Sequence, residues 1–328
     1  MIRSLYYSPD GKIRTDISQG ELILLKQTEG GVLWIDMVGE DKPLYKLVLE
    51  EIFDFHPLSV DDALEQTHVP KVDDWGKYLY LVLNDLEISS EPGELIELKE
   101  LDVFVGEGFL VTYHPRQIGA LDRIWESCQW DPHYLKRGAF NLFYHLADLM
   151  VEGHLPVFDQ IESQINDLED QILSAQREDT LELIFVLKRD LQKLRRIITP
   201  QREVFYKLSH NDFYALELEQ RYFFRNIYEH YVLLNEMSES LRELVSSSLE
   251  IYLSAANNQM NQVVKVLTII TTIFMPMTVI TGLFGMNFFQ LEFSVFTTLG
   301  KVGLALALLI LVSVPVAMIL WMRSRKWI

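Results

Sequence analysis

The chain has one cysteine, Cys128, in 328 residues. An internal disulfide is excluded, so folding needs no oxidising compartment. Glycine and proline are scarce, 16 and 11 in all. None falls between Asp212 and Pro276, which leaves nothing to break a long helix there. Basic residues are outnumbered, 29 to 47, for a formal net charge of −18. That deficit argues against a nucleic-acid partner, because phosphates need clustered Lys and Arg. Met1 to Gly20 lacks an apolar core, so no signal peptide is expected. No glycine-rich phosphate loop, His-Glu-x-x-His pair or nucleophile elbow occurs, and no enzyme activity is expected. His56 and His114 both precede proline and read as turn residues rather than ligands.

What charge there is lies unevenly. The first 260 residues carry 24 basic and 46 acidic side chains, net −22, while the last 68 carry five and one, net +4. An acidic body keeps a protein soluble and also attracts cations.

Charge is missing altogether from two stretches near the end. Val266–Phe284 reads VLTIITTIFMPMTVITGLF and Val302–Met322 reads VGLALALLILVSVPVAMILWM. Each approaches the ~20 residues that carry a helix across a bilayer. Two transmembrane helices, 266–284 and 302–322, are expected, joined by a short loop, 285–301. Lys265 precedes the first, and Arg323, Arg325 and Lys326 follow the second. The positive-inside rule then puts both termini in the cytoplasm and the loop outside, with Trp321 and Trp327 at the inner interface. That describes a multi-pass protein of the cell (inner) membrane, with lipid as a partner.

The first apolar stretch is more than an anchor. Asn261, Val264, Thr268, Thr271, Met275, Thr278 and Gly282 recur at spacings of three and four, which places them on one helical stripe with Leu267 beside it. Threonines in a membrane helix can satisfy backbone carbonyls and a glycine can allow close packing. The same pattern can line a water-filled path, with Leu267 and Met275 as apolar constrictions. One helix cannot enclose such a path, so that reading needs several copies. Pro276 implies a kink.

The stretch closes in Phe284-Gly285-Met286-Asn287-Phe288. On the residues alone, Gly285-Met286-Asn287 also suits a helix C-cap. An aromatic-Gly-Met-Asn-Phe run ending the first of two terminal spans is the signature of the CorA magnesium transporter family, which this chain resembles. The likeness extends upstream through VLTIITTIFMPMTVITG, Tyr252-Leu253-Ser254, Asn261 and FFRNIYEH at 223–230, and downstream to Arg325-Lys326-Trp327-Ile328. Phe284 stands where the family usually has Tyr. The resemblance implies a funnel-shaped homopentamer that admits magnesium, with cobalt and nickel as further candidates, selected as a hydrated ion by the Asn287 ring of the filter Gly285-Met286-Asn287. Chemistry agrees, because magnesium gives up its water reluctantly and neutral amide oxygens can accept hydrogen bonds from that water. The resemblance further implies that magnesium, as regulatory as well as transported ion, binds between subunits and shuts the path. Glu250 stands where the family often has an acidic residue near the inner mouth, and Asn226 replaces an expected Asp. Sensing between subunits is then either weaker or drawn from Glu229 and the acidic group Asp85, Glu87 and Glu91. A zinc transporter on the same scaffold, or a tethered scaffold protein, are the alternatives.

The rest reads as an α+β body. A hairpin is expected around Pro9-Asp10-Gly11, strands at Val32–Met37, Tyr78–Leu83, Leu101–Val105 and Phe109–Tyr113, and helices at Pro43–Phe53 and Ser59–Gln66. From about Gly138 the pattern is helical. Phe158, Ile161, Ile165, Leu168 and Ile172 form one seam and Ile184, Leu187, Leu191, Leu194 and Ile198 another, as in an antiparallel pair turning near Arg177–Thr180 and interrupted at Pro200. The expected division is an α/β domain at 1–137, a helical hairpin at 138–211, a stalk helix at 212–265, the two spans with their loop, and a basic tail at 323–328.

Overall fold

The structure is a computed structural model that describes residues 1–26, 28–65, 69–173, 180–210, 213, 215–285 and 298–327. It separates into two units, Met1–Glu250 and Ile251–Ile328.

The first unit is built on a seven-stranded sheet. Its strands are β1 (Ile2–Tyr7), β2 (Ile13–Thr15), β3 (Val32–Val38), β4 (Lys71–Asp74), β5 (Tyr78–Ile88), β6 (Ile96–Gly106) and β7 (Phe109–His114), in spatial order β2-β1-β3-β7-β6-β5-β4. All neighbours are antiparallel except β3 and β7. The expected hairpin is present, with Gly11 at a positive φ of 83° where a side chain would be strained. Gly108, at φ 78°, turns β6 into β7.

Helices cover the sheet on both faces, which explains why β7 is buried along its whole length rather than at alternate residues. On one face lie α1 (Gln19–Lys26), α2 (Lys42–Leu47), a π-helical turn at Val48–Ile52, and α3 (Pro57–Glu65). Their Leu22, Tyr45, Leu49, Val60 and Ala63 join Tyr80, Phe104 and Tyr113 of the sheet in one apolar core. The rest of the unit is α4 (Gly119–Trp130), α5 (His133–Lys136), α6 (Ala139–Leu173), α7 (Thr180–His210) and the start of α8 (Leu218–Gly285). Both seams read from the sequence are buried. The expected turn between them falls mostly outside the described residues.

Pro200 corrects an expectation, because α7 continues through it to His210. Proline lacks an N–H, so it costs the helix one hydrogen bond. The buried stripe Ile197, Gln201, Val204, Phe205 and Leu208 runs unbroken past it, and packing outweighs that loss. Pro156 lies inside α6 in the same way.

One buried carboxyl sets a pH dependence. Asp102 is fully buried and accepts a hydrogen bond of 2.7 Å from the Tyr80 hydroxyl. Burial, then the charge of Glu100, pushes its carboxyl well above the usual range. The folded protein therefore keeps a proton that the unfolded chain releases once pH passes about 4. The stability tied to that proton is complete in acid and declines as pH rises towards the folded value. Asp102→Asn keeps the acceptor for Tyr80 and has no proton to lose. Its Tm should exceed the parent's by about 2 °C or more near pH 8, and the gap should narrow as pH falls to about 4. Melting curves across that range check this; a gap that does not change with pH would refute it.

Candidate functional site

The second unit contains the carboxy-terminal part of α8 and α9 (Thr298–Ser324). Among the described residues α8 is the one helix long and apolar enough to cross a membrane, and none of its most apolar window is buried. A shorter apolar helix spans Leu308–Ser324. An apolar surface without a protein cover requires lipid or further copies around it.

The helix has two unlike sides. Asn261, Val264, Leu267, Thr268, Thr271, Met275, Thr278 and Gly282 are all exposed, with Leu267 at 63% and Met275 at 67%. Ile269, Thr272, Ile273, Pro276, Met277 and Ile280 are half-covered and repeat at the same period on the opposite face. The stripe read from the sequence lies within a wider exposed face that also carries Val266, Ile270, Phe274, Val279 and Leu283. Its hydroxyls bond back to their own helix: Thr268 donates to the Val264 carbonyl at 2.8 Å, Thr271 to Leu267 at 2.8 Å and Thr278 to Phe274 at 3.0 Å. Each proton is thereby committed, and each oxygen presents only lone pairs outward. Pro276, without an N–H, also leaves the Thr272 carbonyl short of its helical partner. α8 ends at Gly285. Met286 and Asn287 lie outside the described residues.

The regulatory candidates do not converge within one chain. Glu229 is exposed and pairs with Arg225 at 3.2 Å. Asn226 is exposed on the same helix. Glu250 lies 21 residues beyond Glu229, about 32 Å along α8. It lines a groove of about 460 Å³ with Lys188, Arg195, Arg242 and Glu243. Asp85 is buried against His154 at 3.3 Å, Glu87 pairs with Lys99 at 2.7 Å, and Glu91 is exposed in a turn. Among the described residues no three His, Cys, Asp or Glu side chains are grouped to hold a metal.

The sequence of the CorA-like Mg2+ transporter family matches residues 29–326. The chain belongs to that family. It is 30% identical over 296 residues to the cobalt/magnesium transport protein CorA of Thermotoga maritima, covering 90% of this chain and 83% of that one. The zinc transport protein ZntB of Pectobacterium atrosepticum is 26% identical over 281 residues, covering 83% and 81%. In fold, the chain matches the complete structure of the CorA magnesium transporter from Methanocaldococcus jannaschii with a TM-score of 0.84 at 23% identity, over 100% of this chain and 99% of that one.

For a CorA-like divalent-metal transporter, the surroundings of Asn226 hold two carboxylates that sequence reasoning missed. Asn226 lies near the Tyr144 hydroxyl of α6, which burial and then the charges of Asp148 and Glu152 push above its usual range. Burial raises the Asp148 carboxyl, against a smaller opposing effect of His230. No local pattern marks this group, because α6 and α8 bring together residues 78 positions apart.

Proposed function

We propose that the chain forms a homopentameric channel in the cell membrane, multi-pass with both termini cytoplasmic, that conducts hydrated magnesium inward along the open face of α8. The observation that carries this reading is the contrast between the two sides of α8. An uncovered stripe of threonines, with every hydroxyl proton already committed, offers acceptors to the water protons of a hydrated cation. Five copies arranged around an axis, each with a second span at 302–322, would enclose that stripe. The inward drive is large, since a dication gains about 4.6 kcal/mol per 100 mV. The names of the relatives support divalent metals, with magnesium and cobalt ahead.

Regulation follows from the same geometry. A single chain leaves the acidic groups of α6 and α8 incomplete as a metal site. We place the inhibitory magnesium between subunits, drawing on Glu229, Asp148 and Glu152 around Asn226, with Glu250 nearer the path. Asn226 lacks the charge of an Asp, which weakens that site.

Zinc is the second reading, favoured by the ZntB relative. Purified protein in liposomes, offered magnesium, cobalt, nickel or zinc in turn, separates the two. Magnesium uptake driven by an inside-negative potential is expected, and uptake of zinc alone would overturn the reading. Native mass spectrometry in mild detergent should show five chains. A monomer that still conducts would refute the shared path.

A further inference from the structure

In the first unit, β5 is eleven residues long, but β4 pairs only with Leu79–Val82. Beyond that point, among the described residues, no strand pairs with the outer edge of β5. The backbone N–H of Asn84 points out of this edge and donates to Oε1 of Gln201 on α7. A backbone N–H can only donate, so the amide must present its oxygen there. That fixes its Nε2 towards α8, where it donates to the Tyr231 hydroxyl at 2.9 Å. The Tyr231 ring stacks on Phe205 at 5.2 Å and meets the His154 ring of α6 edge-on at 6.1 Å. His154 Nε2 lies 3.3 Å from Asp85, the residue next to Asn84. Asn84, Asp85, His154, Gln201 and Tyr231 are all buried.

Two members are left short. Asn84 Oδ1 and His154 Nδ1 are buried without a hydrogen-bond partner. A buried network whose members are only partly satisfied is one that a modest shift of its elements can improve. The hub, Gln201, reaches the sheet with one end of its amide and α8 with the other.

We propose that the Asn84–Gln201–Tyr231 relay is the seat that fixes α8 in register against the sheet, and that Gln201 and Tyr231 act as positioning residues for channel closure. The proposal rests on the transport reading above. A cation held by the soluble unit can bias α8 only if that helix is keyed to the unit's frame, and an oriented hydrogen bond fixes register where apolar packing would allow sliding. The path itself needs no part of the relay.

Tyr231→Phe removes one oxygen and keeps the ring on Phe205. Ser248→Ala is the matched control, because Ser248 is also buried on α8 and its hydroxyl bonds a neighbouring helix, α6, through Glu169 at 2.9 Å. Full-length protein in liposomes is tested for magnesium flux against rising internal magnesium. Tyr231→Phe should reach the parent's maximal flux but need about fivefold or more internal magnesium to fall by half, while Ser248→Ala stays within about twofold of the parent. An unchanged half-point in Tyr231→Phe, or an equal shift in Ser248→Ala, would overturn the proposal. Should the parent carry no divalent ion, the transport reading fails, and hydrogen exchange decides the seat separately. The Asn84 amide and those of residues 227–235 should then lose protection in Tyr231→Phe, and unchanged exchange would overturn it.

Discussion

Magnesium uptake through Asn287→Ala should fall at least tenfold while assembly and melting stay at the parent's values. Magnesium is small and holds its first water shell tightly, so a mouth that admits it must bind the water rather than the ion. An amide oxygen accepts from those water protons without carrying a charge that would trap the dication. Hydrogen bonds to charged partners contribute about 1.5–3 kcal/mol each. Since about 1.4 kcal/mol is tenfold in rate, the loss of one such contact per subunit is sufficient for the collapse. Asn287 follows Gly285, the last described residue of α8, by two positions in sequence and is none of the residues of the open face. Isotope uptake into liposomes is the measurement, and a rate within about twofold of the parent would remove Asn287 from the selecting ring. Asn287→Asp separates shape from charge: it should bind magnesium more tightly and release it more slowly, lowering flux by retention rather than exclusion.

Leu267→Ser should leave flux high at internal magnesium concentrations that silence the parent. Leu267 and Met275 are eight residues apart on α8, about 12 Å along the axis. Both side chains are uncovered, on the face that carries Thr268, Thr271 and Thr278. At the level of each of these two rings a hydrated dication would meet only apolar side chains, and water leaves such a constriction before the ion does. Closure would then need no charged plug. A serine at 267 supplies hydroxyls and less bulk, so the segment stays wet. A small polar residue at 275 should act the same way. Residual flux at saturating internal magnesium is the quantity to compare. If Leu267→Ser closes as tightly as the parent, the barrier lies elsewhere, with Glu250 or Asn261 next.

Much of the fold was legible because its signals are local. The alternation in α6 and α7 and the apolar runs of β3, β5 and β7 each reflect burial by neighbours of known periodicity. β4 was not legible. Lys-Val-Asp-Asp carries three charges, as befits an edge strand, and Lys71 spends its charge on Asp62 at 2.5 Å and Asp73 at 2.8 Å. β5 was read five residues short, because Asn84 and Asp85 look like turn residues until β6 and Gln201 are seen to hold them. Pro200 misled by outweighing a stripe that was present in the sequence on both sides of it. Spacing alone picked out the threonine stripe on α8. It did not pick out the carboxylates beside Asn226, and no period connects them to it.

The inward hydrogen bonds of the threonines carry a further consequence for the proposed path. A hydroxyl that has given its proton to the turn below has none left for an ion. Chloride is solvated by donors, and along Thr268, Thr271 and Thr278 it would meet none. Rejection of anions would then be written into the helix itself, through where three protons point, and would persist in high salt that screens every surface charge of the acidic body.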